Sequence, residues 1–277
     1  MYSMLSSMNS RHLALCSWSL KPENPLGLVS ACQSCEIQNI QLALLPLVHD
    51  SRWKHCAELL EEANIRVISG MLEASGEDYT SLESIALTGG LRQDEMWPST
   101  IDNAKRAGDV AAAMEVSLVT FHAGFIPEES CGERSKMLDH LHEMTEEFVD
   151  RGVSLALETG QERAANVVSV LQEISMPQLG VNFDPANMIL YGKGDPIEAM
   201  KTLQPWVKQV HIKDAKHTAV HGTWGTEVAA GEGDVDWETF LKLVPEDVTL
   251  VIEREGGDNR INDILQAKTM LQALGAC

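Results

Sequence analysis

Short apolar runs alternate along this chain with longer stretches that are apolar on one side only. Eight runs have strand character: residues 12–18, 40–47, 66–71, 117–124, 154–158, 180–184, 207–213 and 248–253. Several are almost unbroken in apolar residues, as strands buried on both faces of a parallel sheet are. Between them lie amphipathic segments that predict helices over 53–63, 99–114, 132–151, 161–174, 196–204, 237–243 and 259–274. Eight strand candidates in 277 residues give about 35 residues per unit. That is the repeat of a (β/α)8 barrel, which typically runs near 250 residues. No Gly/Ser/Pro-rich linker divides the chain, and no G-x-G-x-x-G follows a strand, so an open doubly wound sheet is the weaker choice. The fold class expected is α/β: a single (β/α)8 TIM barrel over residues 11–277, preceded by an N-terminal tail at 1–10.

Composition bounds the class further. With 44% hydrophobic and 22% charged residues the chain is an ordinary globular protein. No apolar run approaches the roughly 18 residues of a membrane span. The start of the chain has no basic segment followed by an apolar core, so it does not read as a signal peptide, and a cytoplasmic location is expected. The six cysteines are scattered, and Cys32-x-x-Cys35 lacks the second pair that zinc would need, so it reads as two small residues on a helix. Lys and Arg number 21 against 41 Asp and Glu, a formal net charge of −20. Such an excess repels phosphate backbones and excludes nucleic acid as a default partner.

The acidic excess sharpens the reading of four strand ends. Leu155-Ala-Leu-Glu158, Gly180-Val-Asn-Phe-Asp184, Val207-Lys-Gln-Val-His211 and Val248-Thr-Leu-Val-Ile-Glu253 each stop at a residue able to bind metal. Their separations along the chain are 26, 27 and 42 residues. In a barrel, the C-terminal ends of the strands form the mouth where catalytic groups collect. Three carboxylates converging there would repel one another unless a cation neutralised them. Three oxygen ligands and one imidazole suit Mn²⁺, Mg²⁺ or Co²⁺. Glu158, Asp184, His211 and Glu253 are therefore the expected ligands of one divalent ion.

Neighbouring residues extend the site. Lys213, two positions beyond His211, faces the same way from one strand and can hold a substrate oxygen; pairing with Asp214 or Glu255 is the other reading. Asn187 can bond substrate or cap the following helix. His122, in Val119-Thr-Phe-His122-Ala-Gly124, ends the fourth strand beside the mouth and can contact substrate or support a ligand. Trp18, near the end of the first strand, is a candidate to stack on a substrate ring. The remaining histidines, among them His140 and His221, fall on helices or loops and are expected to be mostly solvated.

These segments resemble a known family. Ala156-Leu-Glu158-Thr, Asn182-Phe-Asp184-Pro-Ala-Asn187, His211-Ile-Lys213-Asp214 and Ile252-Glu253, with Gly231-Glu-Gly233-Asp-Val-Asp236-Trp237 between the last two, are similar to the sugar isomerase/epimerase superfamily with a xylose-isomerase-like barrel. The match is close over about residues 115–275. The resemblance implies a (β/α)8 barrel with one divalent cation, Mn²⁺ ahead of Mg²⁺, Co²⁺ or Zn²⁺, on Glu158, Asp184, His211 and Glu253. In the family's ketose 3-epimerases two glutamates exchange protons on opposite faces of an enediolate, a role that would fall to Glu158 and Glu253 as catalytic residues. The expected substrate is a small sugar or sugar phosphate, oriented by Lys213, Asn187, His122 and Trp18, and the expected assembly is a homodimer or homotetramer. Asn187 stands where many members carry histidine, which is closer to the pentulose-5-phosphate 3-epimerase branch, although the first half shows no basic phosphate site. A keto-polyol dehydratase of the inosose type, or an idle sugar-binding barrel, are the alternatives. The nuclease branch needs further histidine ligands that have no counterpart here.

Overall fold

The computed structural model describes residues 11–220 and 222–277. The expected tail at 1–10, and His221, lie outside the described residues. Eight parallel strands close into a barrel: β1 (Leu13–Cys16), β2 (Asn39–Ala43), β3 (Arg66–Met71), β4 (Leu118–Phe121), β5 (Ser154–Glu158), β6 (Leu179–Phe183), β7 (Val207–Ile212) and β10 (Thr249–Ile252). β10 pairs with both β7 and β1, which shuts the ring. Two further strands, β8 (Asp214–Lys216) and β9 (Thr226–Val228), form a separate antiparallel ribbon above the mouth.

The helices are α1 (Pro25–Cys35), α2 (Leu45–His49), α3 (Cys56–Glu62), α4 (Leu82–Thr88), α5 (Trp97–Ala113), α6 (Gly132–Val149), α7 (Ala164–Ile174), α8 (Pro185–Leu190), α9 (Pro196–Leu203), α10 (Trp237–Leu243) and α11 (Arg260–Ala273). Their placement follows from spacing and caps. Met137, Leu141, Met144 and Phe148 recur on one face of α6 and are fully buried, the stripe an amphipathic helix lays on a sheet. The Asn24 side chain accepts from Gly27 N–H just ahead of Pro25, and Asp195 accepts from Ile197 and Glu198 ahead of Pro196. Both are an acceptor at the cap with proline in the first turn. Among the described residues no helix is long and apolar enough to cross a membrane.

The main core lies between the strands and the helices, where outward-facing Phe121, Phe183, Val210 and Ile252 sit. Inside the barrel the apolar content is small: Ala14, Cys16 and Val251 form a separate cluster. Strand alternation then sets which side chains fill the rest of the interior. On β7 and its extension, Gln209, His211 and Lys213 point one way while Val210 and Ile212 point the other. Cys32 and Cys35 are both buried and unlinked on α1, as small helix residues.

Element limits depart from expectation chiefly in the first units. β1 stops at Cys16 because the chain turns at once into a 3₁₀ turn, Ser17–Leu20, closed by Lys21 in the left-handed region, with Ser17 Oγ accepting from Ala43 N–H at 2.9 Å. Trp18 therefore belongs to that turn and not to a strand. The apolar run 40–47 divides between β2 and the start of α2, which carries Pro46 in its first turn. The helix expected from 161 begins only at Ala164, since Gly160 has φ of 137° and a Cβ there would overlap Asn187. That close approach brings the loop after β5 against the loop after β6, directly over the site.

Candidate metal centre

Glu158 ends β5, Asp184 follows β6, His211 lies on β7 and Glu253 follows β10, so all four reach the C-terminal mouth. One ligand atom from each lies within 4.8 Å of the others, and all four residues are buried. His211 Nδ1 is 3.4 Å from Glu158 Oε1, 3.8 Å from Asp184 Oδ2 and 3.3 Å from Glu253 Oε2. Among the described residues, His211 Nδ1 and Asp184 Oδ2 have no hydrogen-bond partner although they are buried, and Glu253 Oε2 has only the Lys213 ammonium at 2.8 Å. Buried polar atoms are nearly always bonded, so two orphans facing one another point to a cation, and the donor set of three carboxylates and an imidazole fits it.

The other imidazole nitrogen explains the orientation. Nε2 is 2.8 Å from Gln41 Oε1, and the Gln41 amide in turn donates to Thr120 Oγ1 at 2.7 Å. A proton on Nε2 thus leaves Nδ1 as the ligating lone pair. Burial depresses the basicity of His211, but the surrounding Glu158, Cys16 and Glu253 outweigh it and hold the imidazole pKa well above the usual value. A cation at Nδ1 would displace that proton. Burial likewise raises Asp184, to about 6. Glu253 is pulled well below the carboxylate range, burial being outweighed by Lys213 and His211. Glu158 is lowered too, burial being outweighed by His122 and His211.

Beneath the four clustered residues runs a polar chain that the sequence reading missed. Ser69 Oγ donates to Gln209 Oε1 (2.6 Å), Gln209 Nε2 to Asn182 Oδ1 (3.2 Å), and Asn182 Nδ2 to Glu158 Oε2 (3.2 Å). The available signal was a single polar residue inside an apolar run, two positions before a ligand: Asn182 before Asp184 and Gln209 before His211.

The four expected substrate contacts all line one cavity of about 650 Å³ at the cluster, but each is also tied to a carboxylate. Trp18 Nε1 donates to Glu253 Oε1 at 2.7 Å. Asn187 Nδ2 donates to Glu158 Oε1 at 3.0 Å, and the cap of α8 is Asp184, whose side chain accepts from Asn187 N–H; Asn187 itself caps nothing. Lys213 Nζ lies 2.8 Å from Glu253 Oε2 and 2.5 Å from Glu255 Oε2. It does not pair with Asp214, whose carboxylate instead takes the N–H groups of Gly231, Gly233 and Val235 and the Trp237 indole. His122 Nε2 is 3.5 Å from Glu158 Oε1 while its Nδ1 has no partner. Burial lowers the His122 pKa, but Glu158 and Glu77 outweigh it and raise it. Of the other histidines, His140 is half-buried and stacks on Trp97 with ring centroids 4.0 Å apart, so it departs from the solvated expectation.

The outer wall of the cavity was not anticipated. Glu73, Glu77 and Tyr79 come from the loop after β3, Tyr191 from the end of α8 and Trp224 from the segment leading to β9. Loop residues carry no periodicity, so nothing in the chain's pattern marks them.

Known proteins share this arrangement of elements. A 35% identical stretch of 98 residues is found in the uncharacterized protein YihM of Escherichia coli K12, covering 35% of this chain and 30% of that one; the match thus spans about a third of the relative's length. The crystal structure of a xylose isomerase domain protein from Planctomyces limnophilus is 29% identical, covers 96% of both chains and superposes with a TM-score of 0.82. A D-tagatose 3-epimerase-like protein, 18% identical over 95% of this chain and 96% of its own, has a TM-score of 0.72 and shares the fold. The family model described as xylose isomerase-like TIM barrel matches residues 32–274. With the closed eight-stranded barrel and that match over most of its length, the chain belongs to the xylose isomerase-like TIM barrel family.

Proposed function

We propose that this protein is a divalent-metal-dependent sugar isomerase or epimerase, with Mn²⁺ the first candidate, acting by proton transfer between two carboxylates. The observation that carries the reading is the cluster of Glu158, Asp184, His211 and Glu253 at the floor of a cavity, with His211 Nδ1 and Asp184 Oδ2 lacking a hydrogen-bond partner among the described residues. Small-molecule pockets commonly have this size and are apolar-walled with few convergent polar groups. The D-tagatose 3-epimerase-like neighbour supports the same class.

A divalent cation held by these four residues would polarise a carbonyl and an adjacent hydroxyl oxygen, which acidifies the hydrogen on the carbon between. The protein's own part is positioning and proton transfer. Of Glu158 and Glu253, the one that enters the step ionised can take the proton, and the other, carrying a proton, can return one from the opposite side and is left ionised in turn. Asn187 and Asn182 fix the two oxygens of Glu158, and Trp18 fixes Oε1 of Glu253, which limits each carboxylate to one orientation. The Lys213 ammonium, nearly fully buried, sits where it can stabilise an enediolate oxygen.

The test is metal analysis of the purified protein together with deuterium uptake from D₂O into a panel of ketoses. The expected result is exchange at a carbon α to the carbonyl, falling by about 10²-fold or more in Glu158→Gln and in Glu253→Gln. A protein that takes up no Mn²⁺, Mg²⁺ or Co²⁺, or exchange that survives both substitutions, would defeat the reading. Loss of water with a new enone absorbance would move the protein to the lyases.

A further inference from the structure

The cavity's charge and hydrogen-bonding character go further than the proton-transfer reading and name a class of substrate for the same site. Glu158, Asp184 and Glu253 bring three negative charges, which one divalent cation and Lys213 balance. Glu227 is taken up by Arg254, 2.8 Å away, and by the N–H groups of Glu255 and Gly256. Glu73, Glu77 and Glu255 remain, and Glu255 shares Lys213 with Glu253. Among the described residues lining the cavity there is no arginine, and Lys213 is its one lysine. Glu77 is held in place by Gly90 N–H at 2.8 Å and by the Tyr79 hydroxyl at 3.3 Å, and Glu73 has no ion-pair partner among the described residues.

Ionised carboxylates only accept hydrogen bonds, so the ligand must bring donors; a phosphate or carboxylate brings only acceptors and more negative charge. The lining is also rich in aromatic rings, Trp18, Tyr79, Tyr191 and Trp224, surfaces suited to the C–H face of a sugar. One buried atom without a partner among the described residues, His122 Nδ1, belongs to the same cavity.

We propose that the cavity takes uncharged, hydroxyl-rich sugars and excludes sugar phosphates and sugar acids, with Glu73 and Glu77 setting that preference at the outer end. This rests on the sugar-enzyme reading above. Titration of the Mn²⁺-loaded protein, followed by calorimetry and by tryptophan fluorescence, would use D-fructose and D-ribulose against D-fructose 6-phosphate and D-ribulose 5-phosphate. At low salt the free ketose binds at least about tenfold tighter than its ester. The gap shrinks as salt screens the wall, and shrinks again in Glu73→Lys, an exposed position whose change leaves the core untouched. An ester that binds as tightly as the free sugar, or a panel of free ketopentoses and ketohexoses none of which binds, would overturn the proposal. If free ketoses bind preferentially but none exchanges hydrogen with D₂O, the charge selectivity stands and the proton-transfer reading falls.

Discussion

Asp214 offers the sharpest test of how the mouth is built, because one carboxylate joins two segments of the chain. It is 1% exposed at the start of the ribbon strand β8. Oδ1 accepts from Ala215 N–H at 2.9 Å and Val235 N–H at 3.3 Å; Oδ2 accepts from Gly231 N–H at 2.9 Å, Gly233 N–H at 3.1 Å and Trp237 Nε1–H at 2.9 Å. Gly233 is required here, since a Cβ would overlap the carboxylate itself. Asp214→Asn keeps the shape and swaps one oxygen for an NH₂ group. The less harmful orientation puts that group on the Oδ1 side, where it meets two N–H donors. Two buried donors then go unsatisfied, at about 1–3 kcal/mol each, and the three remaining bonds lose the charge that roughly doubles their strength. The sum is on the order of 5 kcal/mol, in the range reached only when a buried network breaks.

The assay is equilibrium urea unfolding followed by circular dichroism. With an m-value of about 3 kcal/mol/M, the midpoint falls by more than about 1 M. Trp237 fluorescence should lose its native position in the same transition, since the indole N–H leaves its acceptor. A midpoint equal to that of the parent protein would refute the account, because an amide cannot satisfy five donors arranged for a carboxylate.

Three further outcomes follow from the same geometry. Trp18→Phe keeps the ring but removes the 2.7 Å bond to Glu253; Mn²⁺ affinity by calorimetry drops about 10- to 100-fold with little change in melting temperature, and unchanged affinity would refute the positioning role. Burial raises the Glu162 carboxyl from 4.5 to about 8. A raised carboxyl pKa favours the folded state below about 4.5 and loses that advantage as pH climbs to about 8, so Glu162→Gln gains stability over the parent across that interval, by a few kcal/mol at most; a gap between the two urea midpoints that ignores pH would contradict it. Mn²⁺ at about 100 times its Kd stabilises the fold by about 2.7 kcal/mol, a melting shift of several degrees that EDTA reverses and Asp184→Asn abolishes; an equal shift in Asp184→Asn would place the ion elsewhere.

That these four positions would meet was legible because each ends an apolar run abruptly, and strand ends in a barrel gather at one mouth. Glu158, Asp184, His211 and Glu253 needed no knowledge of their neighbours to be picked out. Gln41, Asn182 and Gln209 did. Each is one polar residue in an apolar strand, and its partner lies on another strand, so the bond that justifies it exists only after the barrel closes. The early units were harder for a different reason. β1 and β2 have four and five residues, and the apolar runs continue past them into a 3₁₀ turn and a short helix, so hydrophobicity alone cannot mark where the strand stops.

Trp18 and Asn187 show how a residue expected to face substrate can hold a second position in the same cavity. Both reach the cavity, yet each donates its side-chain N–H to a carboxylate, Trp18 to Glu253 and Asn187 to Glu158. The reason lies in the charge of the floor. Carboxylates crowded within 4.8 Å of one another must each be held against rotation away from the rest, and neutral N–H donors do this without the positive charge that would compete with a cation. Lys213, buried beside the cluster, supplies the charge instead, shared between Glu253 and Glu255. The net −20 of the chain therefore has two different local meanings. At the floor the acids are matched by His211, Lys213 and room for a cation; at the outer wall Glu77 has His122 near it and Glu73 has no ion-pair partner among the described residues, and that difference is what a substrate entering the barrel would sense.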